Sequence, residues 1–243
     1  MSALAVASDP RLTAVAGRLR DRRPAAGPLV VGLTGSVASG KSTFAASLQQ
    51  AVAAWPERPR VELVCTDGFL RPNAELDAAG LTNRKGFPES YDVEALRGAL
   101  AAVRAGPAVF PAYSHVTYDI DPALARTVDS PDVLIVEGLS LQIDPPPVDV
   151  LIYLQAEEAL LETWFADRFI GLWRAAEHDP ASFYARFRNM DEAGARAFAG
   201  MVWAGINLPN LREHISRARA LAQLVVTKGP GHVIAAVEER FGA

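Results

Sequence analysis

Nearly unbroken apolar runs alternate with amphipathic stretches along this chain. Leu29-Val30-Val31-Gly32-Leu33 and Val133-Leu134-Ile135-Val136 are apolar throughout, the pattern of strands buried on both faces. Residues 60–66, 148–154 and 221–227 read as further strands. The intervening segments carry helical periodicity. The pattern predicts helices over 44–52, over 93–104 with Asp92 as N-cap, over 157–176, over 191–204, and a closing helix after His232. In the 157–176 segment Leu160, Leu161, Trp164, Phe165, Phe169, Leu172 and Trp173 form one stripe. Arg168 falls among them, and a charge so placed needs a carboxylate or phosphate partner.

Residues 1–28 read as a helical arm, with Leu12, Val15 and Leu19 at helical spacing and the basic pair Arg22-Arg23 as its solvated end. Residues 70–91 are polar and turn-rich, a long surface loop of the kind that carries function. A polar, hinge-like region at 177–190 holds Arg186 and Arg188 and is a candidate lid, spanning about 170–190 in all. Strands alternating with helices predict an α/β fold, a parallel sheet with helices on both faces. The arm would be followed by one domain over 29–243.

Composition narrows the class. In 243 residues half are apolar and 21% are charged, with a net charge of −4. That is a globular profile without the basic surplus of a nucleic-acid binder. No run approaches the roughly 20 apolar residues of a membrane span, and the short Ala3–Ala7 stretch, with no basic region before it, is not expected to act as a signal peptide. The single Cys65 reads as an inert thiol in an apolar strand. A cytoplasmic location with no membrane partner is expected.

The chemistry centres on Gly35-Ser36-Val37-Ala38-Ser39-Gly40-Lys41-Ser42-Thr43, which fits the phosphate-cradling pattern G-x-x-x-x-G-K-[ST]. Its glycines let backbone N–H groups turn inward on an anion, Lys41 brings charge to the outer phosphates, and Ser42 offers a hydroxyl to Mg²⁺. A chain of this length matches by chance roughly once in a hundred, and the flanking strand and helix lower those odds. The fold type is therefore that of a P-loop NTPase, with ATP and Mg²⁺ as expected cofactors. Asp67, in Thr66-Asp67-Gly68-Phe69, follows the second strand, where ligands of parallel sheets bind. A carboxylate there could accept a hydroxyl proton, or simply form an Asp-Gly turn. Glu137 ends a buried strand in the manner of the acidic residue that helps hold Mg²⁺. His115 lies among hydroxyls, between Ser114 and Thr117-Tyr118. No guanine-reading Asn-Lys-x-Asp occurs, and the parts point to phosphoryl transfer onto a small hydroxyl compound.

Several segments together resemble bacterial type I pantothenate kinase: Asp67-Gly68-Phe69-Leu70, Asn83-Arg84-Lys85-Gly86-Phe87-Pro88-Glu89-Ser90-Tyr91-Asp92, Tyr113-Ser114-His115, Glu137-Gly138-Leu139, the stretch from Trp164 to Phe169, and Ile206-Asn207. The resemblance runs from about residue 29 to 238. It implies ATP-dependent phosphorylation of pantothenate to 4′-phosphopantothenate, the entry to coenzyme A. It also implies Asp67 as base, Lys41 and Arg168 on the transferring phosphoryl group, and Ser42 with Glu137 at Mg²⁺. Tyr113, His115 and Asn207 would contact the acceptor, and Lys228 and His232 would lie beside adenine. A homodimer and inhibition by coenzyme A are implied as well. The sequence departs from the pattern in four places. Phe165 stands where the acceptor pocket has Tyr, Ala46 replaces a basic residue linked to coenzyme A, the segment after Leu139 is short, and about 28 residues precede the first strand. Another small alcohol, such as a nucleoside or sugar acid, or a nucleotide-binding regulator without turnover, is the alternative.

Overall fold

The computed structural model describes residues 9–242; residues 1–8 of the expected arm and Ala243 lie outside them. Five parallel strands form the sheet: β1 (Leu29–Gly35), β2 (Val61–Cys65), β7 (Val133–Glu137), β8 (Val150–Gln155) and β9 (Leu224–Lys228), closed by the antiparallel β10 (Ile234–Glu239). Their order is β10-β9-β8-β1-β7-β2. The intervening β3 (Ala108–Phe110) pairs with β6 (Arg126–Val128), and β4 (Tyr113–Ser114) with β5 (Asp119–Ile120), as two small ribbons.

Period-two alternation divides the strands between two cores. Leu29, Val31, Leu33, Val133, Ile135, Ile152, Leu154 and Val226 face one way. They pack against α1 (Pro10–Arg20) and α2 (Lys41–Ala53), whose Leu12, Val15, Leu19, Phe44 and Leu48 are buried. Val30, Leu134, Val136, Leu151, Tyr153 and Val225 face the other way, toward Leu96 and Leu100 of α4 (Val93–Ala105) and Leu161 of α5 (Glu158–Ala175). Asp92 caps α4, its carboxylate accepting from the Ala95 N–H at 2.8 Å. At the end of α1 Arg22 and Arg23 are exposed, as expected of a solvated helix end, with Arg22 4.2 Å over the Phe241 ring and Arg23 reaching Asp132.

Three local expectations give way. Residues 234–239 form β10 and not a closing helix. Ala235, Ala236, Glu238 and Glu239 favour helix locally, but the unpaired edge of β9 supplies backbone partners and the apolar face takes Ile234 and Val237. Residues 70–91 are not one open loop, since they hold α3 (Asn73–Ala78) and helical turns at Thr82–Arg84 and Pro88–Ser90. The region 177–190 is not a polar hinge. Its turn Phe183–Phe187 packs Tyr184 and Phe187 on Phe169 of α5 and on Phe198 of α6 (Glu192–Val202), a third cluster beside the two cores. Arg186 and Arg188 stay exposed on it.

At the outer edge of the sheet, Arg126 of the β3–β6 ribbon donates to the Leu63 carbonyl at 2.5 Å and to Glu62 Oε2 at 2.7 Å. The central packing is tested at Phe44, which is fully buried between α2 and the sheet. Phe44→Ala is expected to lower the unfolding free energy by about 3–5 kcal/mol, read as an earlier urea midpoint at unchanged slope.

Candidate active site

The ladder sets the site. Leu33 of β1 and Cys65 of β2 both stand level with Glu137 of β7, and β1 runs on two residues to Gly35 beside β8, so the chain leaves all three strands at the carboxyl end of a parallel sheet. Beyond β1 the loop turns through Ala38 (φ 62°) and Gly40 (φ 79°) into the N-terminus of α2. A Cβ on Gly40 would stand 2.8 Å from Lys228 Nζ, so glycine suits the left-handed turn and leaves the Lys228 ammonium in place. Lys41 Nζ donates to the carbonyls of Gly35 (3.1 Å) and Ser36 (2.9 Å), and Lys228 Nζ to that of Ser39 (3.1 Å). The Ser36 and Ser39 hydroxyls are buried without a hydrogen-bond partner. Two ammonium groups and two orphaned hydroxyls at the N-terminus of α2 fit a phosphate chain.

Ser42 Oγ donates to Glu137 Oε1 at 2.8 Å. Among the described residues no cluster of three or more acidic, His or Cys side chains could hold a metal. The Ser42 hydroxyl and the Glu137 carboxylate are hard oxygens of the kind that suits Mg²⁺, which is commonly held by one carboxylate, phosphate oxygens and water. Asp67, two residues past Cys65, lies in the helical turn Thr66–Phe69, its N–H directed at Cys65 Sγ (3.5 Å). Gly68 permits that turn to press on the next segment, since a Cβ there would sit 2.1 Å from the Pro111 carbonyl oxygen. The Tyr91 hydroxyl donates to Asp67 Oδ1 at 3.2 Å.

Burial shapes the titrations. It pushes the Tyr91 hydroxyl well up, with the Asp67 charge adding to it. Tyr91 thus stays a proton donor to that carboxylate. Burial lowers Lys41, opposed by Glu137 and Asp67, and pushes Lys228 down to about 8, with the Lys41 charge adding. The His232 imidazole is lowered by burial and then by Lys228. The Cys65 thiol is raised well up by burial and then by Asp67, so it stays protonated.

Asp67, Tyr113 and His115 line one cavity of about 150 Å³, with Arg126 at its wall. The Tyr113 and His115 rings meet edge to face at 5.3 Å. A larger cavity of about 280 Å³ lies behind the phosphate loop, between Ser36, Gln155 and Arg212; of the sequence candidates only Ser36 reaches it. His232 stacks on Trp164 at 3.8 Å beside Lys228, near the loop.

Arg168 departs from its expected setting. It is exposed on α5, outside the buried set Leu161, Phe169 and Ile170, and Leu172 of the stripe is exposed too. Among the described residues Arg168 forms no hydrogen bond or ion pair; its charge reaches Lys41, Tyr118 and Tyr184. Phe165 is half-buried, its ring 6.0 Å from Trp203. Asn207 is half-buried at the end of a π turn, Trp203–Asn207, without a side-chain hydrogen bond among the described residues. Val37 and Thr43 contribute backbone to the loop and the first turn of α2. Tyr91, Lys85 and Trp164 were not singled out for a role by their sequence setting, although Tyr91 and Lys85 fall in the conspicuous 83–92 segment.

Residues 30–164 match the phosphoribulokinase/uridine kinase family. The chain is 46% identical over 224 residues to the pantothenate kinase of Sorangium cellulosum, covering 88% of this chain and 73% of that protein. It is 45% identical over 228 residues to the pantothenate kinase of Sinorhizobium medicae, covering 88% and 69%. The structure of a D-glycerate 3-kinase from Cryptococcus neoformans var. grubii covers 96% of this chain and 100% of its own at TM-score 0.64 and 14% identity, a likeness of fold.

Because a methyl at Gly40 would strain the left-handed turn and displace the Lys228 ammonium, Gly40→Ala is expected to weaken ATP binding about tenfold. Titration calorimetry showing wild-type affinity would mean that the loop adapts without its left-handed turn.

Proposed function

The chain belongs to the phosphoribulokinase/uridine kinase family, within its pantothenate kinases, and we propose that it transfers the γ-phosphoryl group of ATP to the primary hydroxyl of pantothenate. The observation that carries this reading is the place of Asp67. Asp67 follows two residues after Cys65, which stands level with Glu137; its charge reaches Lys41, and it lines the cavity that Tyr113 and His115 also line. The identity of 45–46% to two pantothenate kinases supports the acceptor.

In this reading Gly35 to Thr43 cradle the phosphates, and Lys228, whose ammonium rests on the Ser39 carbonyl of that loop, stands with His232 where the phosphates meet the nucleotide base. Ser42 and Glu137 would hold Mg²⁺, which would neutralise charge on the outer phosphates. Asp67 accepts the proton of the acceptor hydroxyl as that oxygen bonds to the γ-phosphorus and the bond to the ADP oxygen breaks. Tyr91, donating to Oδ1, fixes the carboxylate while leaving Oδ2 for the incoming proton. Lys41 and Arg168 stabilise charge on the transferring group. The exposed, unpaired guanidinium of Arg168 suits a group that engages only when substrates are present.

Tyr113, His115 and Asn207 contact the acceptor. Phe165 gives the pocket an apolar wall and one hydrogen bond fewer than a tyrosine would. We place the protein in the cytoplasm as a homodimer; no helix among the described residues is long and apolar enough to cross a membrane. Ala46, half-buried on α2, offers coenzyme A no charge, so inhibition by it would be weak.

ADP release with Mg²⁺–ATP is expected on pantothenate and not on uridine, cytidine, ribulose 5-phosphate or glycerate. Turnover on one of those alone would transfer the reading to a related kinase. Asp67→Asn should lower kcat by about 10²-fold or more while ATP affinity stays near wild type. A variant retaining full turnover would remove Asp67 from the reaction.

Nucleotide binding should also depend on pH. The Lys228 ammonium titrates at about 8 in the free protein, and a bound anion favours its charged form. ATP affinity is therefore level below about pH 7 and falls as pH rises through 8. In Lys228→Met that fall should be absent from the calorimetric profile.

A further inference from the structure

One cation beside the acceptor cavity has no part in the reaction above. Lys85 is half-buried, and its ammonium donates to Asn73 Oδ1 at 2.5 Å and to the Tyr118 carbonyl at 2.6 Å. The same nitrogen stands 4.8 Å from the centre of the Tyr113 ring and 4.9 Å from that of Tyr118. That is within the range where a ring face attracts a cation. Asn73 is itself anchored. Its N–H donates to Asp119 Oδ1 at 3.0 Å, and its side-chain amide donates to the Tyr118 carbonyl at 3.0 Å.

Two donors therefore converge on one carbonyl, and the residue that bears it is unusual. Tyr118 holds φ at 59°, a conformation uncommon for any residue with a side chain. Such a backbone persists where its surroundings over-determine it, and here Lys85 and Asn73 do so. The turn delivers the Tyr118 ring onto Phe183, stacked at 4.1 Å with an interplanar angle of 18°. Phe183 opens the turn 183–187, whose remaining rings pack on α5 and α6. A continuous path thus runs from Lys85, through Tyr118, to the turn 183–187, and Tyr113 of the acceptor cavity touches the same ammonium and the Tyr118 ring (5.8 Å).

We propose that Lys85 is a positioning residue that, through Tyr118, latches the segment 183–187 against the acceptor side of the site. The ammonium holds the Tyr118 carbonyl, the carbonyl fixes the turn, and the turn presents the ring to which Phe183 docks. The kinetic part of this inference rests on the reading of the cleft beside Asp67 as the acceptor site; the structural part does not.

Lys85→Met keeps the stem and removes the ammonium, Phe183→Leu removes the stack, and Phe183→Trp retains it. In the ligand-free protein, amide hydrogen exchange over 183–187 should speed up about tenfold in Lys85→Met and in Phe183→Leu. The double variant should show no further increase, because both changes release one latch, and Phe183→Trp should exchange like wild type. In turnover assays the KM for pantothenate should rise about tenfold in the first two variants, with the KM for ATP within about twofold of wild type. Unchanged exchange in Lys85→Met would overturn the latch, and so would effects of the two single changes that add in the double variant. An ATP KM that rises in step with the acceptor KM would show general damage in place of positioning. A wild-type protein silent on pantothenate would overturn the acceptor reading alone, and exchange would still decide the latch.

Discussion

The register of the parallel ladder around Glu137 is the constraint on which the site depends. Leu33 and Cys65 flank that residue from β1 and β2, so the Gly35–Thr43 loop, the Glu137 carboxylate and Asp67, from three distant parts of the chain, emerge at the same end of the sheet. No contact among their side chains is needed to assemble them. A slip of one residue in either neighbour of β7 would turn its side chains to the opposite face and carry Asp67 or Gly35 away from Glu137. Burial forbids the slip, because Val31 and Val30, or Ile135 and Leu134, already fill different cores.

A chain with a net charge of −4 gathers Lys41, Lys228 and Arg168 around one loop. Lys41 lowers the affinity of Lys228 for its proton, and Arg168 does the same to Lys41. Asp67 and Glu137 offset part of that repulsion without pairing directly with either ammonium. The excess positive potential is local, built into a region of low dielectric where it acts strongly on an anion and little on the rest of the surface.

The strand, loop and helix around residues 29–52 were legible in the sequence because their requirements are local. Glycine, lysine and serine at fixed spacing answer to backbone geometry and charge, and an apolar run answers to burial on both faces. Asp67 and Glu137 were legible for the same reason, each being read from the end of its own strand. What escaped depends on partners far along the chain. Residues 234–239 carry a helix-favouring composition, and only the free edge of β9 makes them a strand. Phe183, Tyr184 and Phe187 look like incidental rings in a polar stretch, because their neighbours Phe169 and Phe198 belong to two other helices. Arg168 follows Phe165 at helical spacing, yet its position beside Phe169 turns it off the buried face by about 100°. Nothing near Tyr91 announces that its hydroxyl meets a carboxylate 24 residues earlier.

The guanidinium of Arg126 on the Leu63 carbonyl has a consequence beyond holding a ribbon in place. β2 ends the sheet, and an exposed terminal strand is a template on which a foreign strand can add, the first step toward aggregation. Here the open hydrogen-bonding row is interrupted at its middle residue by a charged group whose own counter-ion, Glu62, belongs to the same strand. An intruding chain would have to evict that ion pair before forming its first rung. The edge is thereby protected against self-association at the strand nearest to Asp67, where a β-bulge or a proline would have disturbed the register that places the carboxylate.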